Sequence, residues 1–357
     1  MTRRNARTLG QFFLTPLLCE PGAAQMNAEY AFVLEDRVHG DFLTFRVVVL
    51  LRRSADPADR HKPKEHKMTK TLTFPYEDIE LAYTVSGNGP ALILLHGWPF
   101  HKASFRKLLP LLEPHYTCYA LDAAGMGESG WSRHTNFSFH GHVERVRAFA
   151  DRMKLAGYSV VGHDTGGTFA RMLAVADAAR VDRIVAIDTE VPGHLPGVVP
   201  KLQWAFRRRG GRALFKAALG SKSVMRRWLG RVGFFVDKRL IDDEYMELFV
   251  TSWLRSEHAY RGLLEYLLGV DHSLVARLDD LHAKIDAPML FIWGEKDGVF
   301  PVRRAREMVA RMPDKAGLAV IGGAAFLPHE EKPDEVARHI LAFLDANVPV
   351  RLTAEKR

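Results

Sequence analysis

The feature of this sequence that most constrains its fold is a regular alternation of short apolar runs with stretches of helical periodicity. Apolar, β-branched runs of strand length occur at 91–96, 117–122, 158–163, 183–188, 289–294 and 318–323. Helical periodicity separates them at 102–113, 139–154, 166–178, 301–311 and 333–345. Strands that alternate with helices form a mostly parallel sheet covered on both faces. The sequence therefore predicts a doubly wound α/β fold.

A long segment at 190–286 interrupts this alternation. It has helical patterns and no convincing strand, so we expect an insertion that packs on the sheet as a helical cap. The cap divides the predicted core domain into a first part, 68–189, and a second part, 287–357. Residues 207–231 of the cap contain nine Lys and Arg residues and no acid. Solvated helix faces are the favoured explanation, and a cationic rim that attracts anionic substrates or a membrane surface is the alternative.

The N-terminal residues 1–67 differ from the rest of the chain. Two strand-like runs at 30–35 and 42–51 have no evident partner, and a charged, linker-like stretch follows at 54–67. A pattern of paired strands begins at Met68, which we interpret as the natural first residue. We therefore expect 1–67 to be an extension that is poorly ordered or partly non-native. A weak signal peptide around FFLTPLLC is the less favoured interpretation.

The composition is that of an ordinary globular protein, with 47% hydrophobic and 26% charged residues. The net charge of +8 comes without an aromatic-interleaved basic motif or a zinc pattern, so we expect no nucleic-acid partner. Cys19 and Cys118 are too few and too far apart for a disulfide framework or a metal cluster. We expect a cytoplasmic protein without metal or cofactor. No apolar run reaches the roughly 18 residues of a membrane span, so stable membrane insertion is not expected.

One motif places a carboxylate where many hydrolases have a nucleophile. Gly162-His163-Asp164-Thr165-Gly166 follows an apolar run and begins a helical stretch, which is the spacing of the strand–turn–helix "nucleophile elbow" G-x-S-x-G. Asp164 occupies the position of the serine. Such a turn holds its central side chain clear of the backbone, at the positive end of a helix. The alternative is an ordinary turn with an N-capping aspartate.

Two further motifs lie where other strands end. His96-Gly97-Trp98-Pro99 follows a very apolar strand. In hydrolases with this elbow, one oxyanion-hole amide comes from that loop and the other from the residue after the nucleophile, here Trp98 and Thr165. The run Trp293-Gly294-Glu295-Lys296-Asp297 leaves another apolar strand and offers a carboxylate at its carboxyl end, where open α/β sheets place their sites.

From about Met68 to the C-terminus, these motifs together resemble the α/β-hydrolase superfamily. His-Gly-Trp-Pro with Gly-His-Asp-x-Gly-Gly resembles its aspartate-nucleophile branch, which contains epoxide hydrolases, haloalkane dehalogenases and fluoroacetate dehalogenases. DAAGMGESG (122–130) and EKPDEVARHILAFL (331–344) support the resemblance. It implies that Asp164 attacks an sp³ carbon and forms an alkyl-enzyme ester, which a histidine-activated water hydrolyses.

The resemblance also implies an acid that orients this histidine. Asp297 is the favoured residue, because the acid usually follows the penultimate strand in this superfamily. Some haloalkane dehalogenases place it at the end of the strand after the elbow helix instead. That position falls on Asp188, with Glu190 two residues later.

The histidine itself is missing from its usual turn. Its expected position falls on Ala325 or Phe326, and neither side chain accepts a proton. His329 is the nearest histidine, and we favour a rebuilt loop that brings it to Asp164 and Asp297. One alternative is a replaced histidine, which leaves the enzyme trapped at the ester. The other is a non-catalytic ligand-binding relative.

The substrate class depends on residues around the nucleophile. Epoxide hydrolases use two cap tyrosines to protonate the opening ring oxygen, and Tyr266 is the best candidate, ahead of Tyr245; packing of the cap is the alternative role. Haloalkane dehalogenases usually carry tryptophan after the nucleophile, where this chain has Thr165, although Trp98 is a candidate halide donor. We favour epoxide hydrolysis over dehalogenation. The expected partner is a small-molecule epoxide or organohalide, and a homodimer is left open.

Overall fold

A computed structural model of the chain describes residues 70–312 and 314–345, together with the backbone of 29–39 and 42–52. The predicted leader, the linker at 54–67 and Cys19 lie outside the described residues. The strands are β1 Glu29–His39, β2 Phe42–Arg52, β3 Leu72–Tyr76, β4 Ile79–Ser86, β5 Ala91–Leu95, β6 Thr117–Leu121, β7 Tyr158–His163, β8 Val181–Ile187, β9 Met289–Gly294 and β10 Ala316–Ile321.

One eight-stranded sheet contains β3 to β10, in the order β10-β9-β8-β7-β5-β6-β4-β3. Its strands run parallel from β10 to β6, whereas β4 is antiparallel to both β6 and β3. The strands β1 and β2 pair with each other in a separate antiparallel sheet. The six strand-like runs predicted for the parallel part agree with the observed strands to within two residues, which confirms the predicted fold.

Helices connect the strands. They are α1 Leu109–Leu112, α2 Phe139–Arg152, α3 Thr165–Ala176, α4 Val198–Phe206, α5 Arg209–Leu219, α6 Lys222–Val232, α7 Thr251–Leu254, α8 Glu257–Leu268, α9 His272–Ala276, α10 Leu278–His282, α11 Val302–Val309, α12 Pro328–Glu331 and α13 Pro333–Leu344. The helix predicted at 102–113 is wrong, since that stretch divides into a 3₁₀ turn, Lys102–Phe105, and α1. Pro110 explains the break, because an interior proline lacks an N–H and its ring clashes with the carbonyl four residues earlier.

Both faces of the sheet are buried. Along β5, Leu92 and Leu94 belong to one hydrophobic cluster, while Ile93 and Leu95 belong to a second cluster on the opposite face. The first cluster includes residues of α13, and the second includes residues of α2, α3 and α11. Burial on both faces explains why these strands read as continuous apolar runs without alternation.

The segment between β8 and β9 is helical in the structure, with α4 to α10 and a π-helix, Ile241–Val250. Arg106 joins this segment to the core through ion pairs with Glu244 of the π-helix and Glu330 of α12. Most of the basic side chains of 207–231 are solvent-exposed, as the interpretation as solvated helix faces predicts. Among the described residues, no helix is both long enough and apolar enough to cross a membrane.

Candidate active site

Asp164 lies on a tight turn between β7 and α3, at the carboxyl edge of the sheet. Its backbone is left-handed, with φ 54° and ψ −128°, a conformation that a non-glycine residue adopts at an energetic cost. A Cβ atom on Gly166 would lie 2.0 Å from the carbonyl oxygen of Leu95, so α3 approaches β5 at a distance that only glycine allows. The Asp164 side chain makes none of the hydrogen bonds that an N-capping aspartate makes to the second or third amide of its helix. The predicted elbow is therefore present, and the alternative of an N-capping aspartate is wrong.

Two backbone amides converge on the Asp164 carboxylate. They are the N–H groups of Trp98 and Thr165, the pair that the sequence motifs indicated. Gly97 lies directly against the same carboxylate, since a Cβ atom there would be 2.3 Å from Asp164 Oδ2. The amides thus face the carboxylate of the aspartate itself, and they favour its anionic form.

The loop that carries Trp98 is fixed from both sides. His96 donates from Nδ1 to the Gly97 carbonyl oxygen at 2.9 Å, and its Nε2 accepts from the Ala123 N–H at 2.9 Å. Burial lowers the pKa of His96 to about 4, so the ring is neutral and structural. The Trp98 indole N–H donates to the Leu263 carbonyl oxygen of α8 at 2.8 Å. This bond engages the N–H that the sequence analysis offered as a candidate halide donor.

A cavity opens beside Asp164. Its volume is ≈ 50 Å³, which is room for roughly three to five waters or a small ligand. The wall of the cavity is mostly apolar and includes residues of α4, α6 and α8 from the helical segment between β8 and β9. The lining residues are Trp98, Asp164, Thr165, Glu190, Leu195, Pro196, Val198, Val199, Trp228, Val232, Phe234, Leu267, Val270, Val299, Phe300 and Phe326.

A phenylalanine stands at one of the two positions where the resemblance places the histidine. Phe326, at one of the two expected positions, lines the cavity with Asp164. His329 lies outside the cavity lining and packs into the core, its ring centroid 4.6 Å from His163 and 5.6 Å from Phe105. Neither of its nitrogens has a hydrogen-bond partner among the described residues. Burial lowers the pKa of His329 well below its usual value. The structure therefore does not bring His329 to Asp164 and Asp297.

The two candidate acids form a single pair. Asp297 Oδ1 accepts from the N–H groups of Val299 and Phe300 at 2.7 and 3.0 Å, and Asp188 Oδ1 accepts from the Gly294 N–H at 2.9 Å. The carboxyl groups of Asp188 and Asp297 influence each other's pKa, and the Oδ2 atom of each is buried without a hydrogen-bond partner among the described residues, so a proton between the two groups would satisfy both.

Burial raises the pKa of Asp297 to about 7. Burial and the charge of Asp297 raise the pKa of Asp188 well above its usual range. Both shifts favour the protonated form of the pair. The sequence analysis treated the two acids as alternatives, and the structure shows them in contact.

Glu190 is a carboxylate of this cavity to which the sequence analysis gave no role. It is 3% exposed, follows β8 and lines the cavity with Asp164. After burial, its charge is the strongest influence that raises the pKa of Asp164. The available signal was its position just past the carboxyl end of a buried strand, which is where open α/β sheets place their sites.

The two cap tyrosines occupy different surroundings. Tyr266 is buried, and its hydroxyl shares a hydrogen bond of 2.7 Å with Thr165 Oγ1, next to the nucleophile position. Burial raises the pKa of Tyr266 well above its usual value, so the phenol keeps its proton. Tyr245 packs among aromatic rings such as Phe249 and Trp253, and its hydroxyl has no partner among the described residues. Of the two, only Tyr266 forms a hydrogen bond to a described residue beside Asp164.

Comparison with known proteins agrees with this architecture. A family model described as the alpha/beta hydrolase fold matches residues 90–333. The uncharacterized hydrolase YugF of Bacillus subtilis is 25% identical over 253 residues, which cover 71% of this chain and 89% of YugF. The soluble epoxide hydrolase of a Corynebacterium species is 28% identical over 272 residues, which cover 73% of this chain and 92% of that enzyme.

A solved structure extends the comparison to three dimensions. The ligand-free epoxide hydrolase CorEH superposes with a TM-score of 0.66 at 20% identity, and the match covers 77% of this chain and 98% of CorEH. At this identity the match is evidence for the fold alone. The family model covers more than half of the chain and agrees with the sheet order and the elbow. The chain therefore belongs to the α/β-hydrolase fold family and is a hydrolase.

Proposed function

We propose that this hydrolase attacks an sp³ carbon with Asp164 and proceeds through an alkyl-enzyme ester, most favourably on an epoxide. The observation that carries the proposal is the pair of amides, from Trp98 and Thr165, on the carboxylate of Asp164 itself. When water attacks an aspartyl ester, the negative charge develops on the carboxyl oxygen that is not bonded to the alkyl group. The amides are then aligned with the oxyanion before the reaction begins. A serine-type esterase would instead need them to bind an oxygen of its substrate.

The first step forms the ester. A carboxylate oxygen of Asp164 bonds to an epoxide carbon, and the bond from that carbon to the ring oxygen breaks. The resulting alkoxide takes a proton from the phenol of Tyr266, which the bond to Thr165 holds beside the nucleophile. An ionised aspartate needs no base for this attack, so the absence of a histidine does not prevent ester formation.

The surroundings of Asp164 favour epoxide opening over dehalogenation. Epoxide opening needs a proton donor for an oxygen, and Tyr266 supplies one. Dehalogenation needs N–H donors for a halide, and the Trp98 indole already donates to Leu263. Dehalogenation remains the alternative function, and the experiment below tests it by measuring halide release together with diol release.

The test is a panel of epoxides and haloalkanes, scored for diol and halide release with the wild type and with Asp164→Asn. We expect diol from at least one epoxide with the wild type and none with the variant. A brief reaction in ¹⁸O-labelled water should place label in Asp164, since the ester carbonyl carbon is attacked. Equal inactivity of both proteins across the panel, or label only in the product, contradicts the proposal.

A further inference from the structure

The second half of the proposed reaction needs a base, and the cavity limits the choice. Water attacks an ester efficiently when a positioned group takes its proton. Among the described residues that line the cavity, only Asp164 and Glu190 carry a carboxyl group. Asp164 is the esterified residue at this stage. Glu190 is therefore the group in the cavity wall that is able to accept a proton.

A buried network holds one oxygen of Glu190. Its Oε2 accepts from the Thr168 hydroxyl at 2.6 Å and lies 3.1 Å from the Thr189 hydroxyl. Arg171 is fully buried, and its Nη2 donates to both hydroxyls, at 2.7 and 2.8 Å, and to the Glu190 carbonyl oxygen at 3.0 Å. Since Arg171 occupies a lone pair on each hydroxyl, their protons are turned toward other acceptors. Arg171 is thus a positioning residue for the Glu190 carboxylate.

The second oxygen of Glu190 is unengaged. Oε1 makes no hydrogen bond to any described residue, although the side chain is almost completely buried. The Thr189 hydroxyl also lies 2.7 Å from the Asp164 carbonyl oxygen, so the same network connects the base position with the elbow. A carboxylate that lines a cavity and is anchored by one oxygen, with the other oxygen unengaged, has the arrangement of a general base.

Ester formation removes the negative charge of Asp164 before the step in which Glu190 acts as a base. In the free enzyme, Asp164 and Glu190 are neighbouring carboxyl groups whose charges oppose each other. Ester formation makes Asp164 neutral, which leaves Glu190 as the ionisable group of the described lining. The competing charge is thus removed just when a base is needed.

We propose that Glu190 is the general base that releases the ester, an inference that rests on the proposed function. Oε1 takes a proton from the water as its oxygen bonds to the Asp164 ester carbon, and the amides of Trp98 and Thr165 hold the oxyanion. The bond from that carbon to the alkyl oxygen then breaks, and the leaving alkoxide takes the proton from Glu190. The other proton of the water, left on the Asp164 carboxyl group, restores the Tyr266 phenol. Epoxide and water together give the diol.

The test separates ester formation from ester release. Glu190→Gln keeps the shape and a carbonyl oxygen for the threonine hydroxyls but accepts no proton. With an epoxide that the wild type hydrolyses, rapid quench and intact mass measurement should show ester accumulating on Glu190→Gln. The ester should form at least as fast as in the wild type, and its release should slow by about 10²- to 10⁴-fold. Asp164→Asn is the matched control and should show no ester.

A second variant guards against a purely structural effect. Glu190→Gly removes the carboxylate, and added formate should restore part of its ester release, because a small carboxylate can enter the vacated space. His329→Ala tests the rival base and should release the ester at the wild-type rate.

Four results overturn the inference: unchanged release by Glu190→Gln, equal slowing of both steps, no rescue by formate, or ester accumulation on His329→Ala. If the wild type and Glu190→Gln both lack the ester while diol still forms, the proposed function itself fails, which is a distinguishable outcome.

Discussion

The ionisation of the Asp164 carboxyl group is subject to opposing influences from neighbouring atoms. The amides of Trp98 and Thr165 stabilise its anion, whereas burial and the charge of Glu190 raise its pKa well above the usual range. The protonated form has no nucleophilic oxygen to offer, so the balance between these influences sets the pH at which the first step begins.

We predict that ester formation increases with pH over a range above the usual aspartate pKa of about 3.9. The pKa is raised, so the proton stays on Asp164 at acid pH and is lost only as the pH rises through the shifted value. Glu190→Gln removes the neighbouring charge and should move the inflection to lower pH. The measurement is the single-turnover rate of ester formation against pH for both proteins. An inflection that stays in place, or moves upward, would contradict this electrostatic coupling.

The residues of the site differ in how far the sequence alone reveals them. Thr165 follows Asp164 directly in the elbow motif, so the place of its amide was predictable, whereas the approach of the Trp98 amide from a separate loop was expected from the resemblance to hydrolases with this elbow. The place of His329 was not predictable, because the turn after β10 directs Phe326 into the cavity and His329 into the core. Glu190 was also missed, since its role depends on Arg171, which lies on a different element.

At the level of elements, the contact between α3 and β5 determines the elbow. We predict that Gly166→Ala lowers the free energy of unfolding by about 1–3 kcal/mol, because the new methyl group would overlap the Leu95 carbonyl oxygen. Ester formation should fall as well, since the displaced helix start carries the Thr165 amide. Denaturant unfolding and single-turnover kinetics measure the two effects.

The matched control is Gly210→Ala in α5, where a Cβ atom meets nothing within 4 Å. It should raise stability by roughly 0.5–1 kcal/mol and leave ester formation unchanged, because alanine favours a helix over glycine. If the two variants change the free energy of unfolding and the rate of ester formation by the same amounts, the close contact of α3 with β5 is not the reason that position 166 requires glycine.

The elements themselves were largely predictable. Strands buried on both faces are continuous apolar runs, so their positions followed from the sequence to within two residues. The single helix predicted at 102–113 was wrong because the prediction followed the helical periodicity of this stretch and gave too little weight to Pro110. The pairing of β1 with β2 was not anticipated, as an isolated hairpin leaves little trace beyond two apolar runs.

For the whole molecule, the Asp188–Asp297 pair links stability to pH. Both pKa values are raised in the folded state, that of Asp297 to about 7, so the folded state binds more protons than the unfolded chain. Stability from the pair is therefore complete below about pH 4 and is lost as the pH rises through about 7. We predict that Asp188→Asn reduces this loss, by an amount on the order of a few kcal/mol, because its amide donates to Asp297 without a titrating proton.

Urea unfolding of the wild type and Asp188→Asn at pH 5 and pH 8 checks this prediction. The difference between the two proteins isolates the pair from the other titrating groups. A variant that loses as much stability as the wild type between the two pH values would show that the pair does not share a proton in the folded protein.

Helix α8 makes two hydrogen bonds to the residues that carry the amides: Leu263 accepts from the Trp98 indole, and Tyr266 bonds to Thr165. Any displacement of α8 away from the core would break both bonds together, and the two residues whose amides face the Asp164 carboxylate would each lose a side-chain partner. If substrate enters by that route, the open form cannot have the amide arrangement that the proposed reaction requires, so entry and reaction would alternate in time.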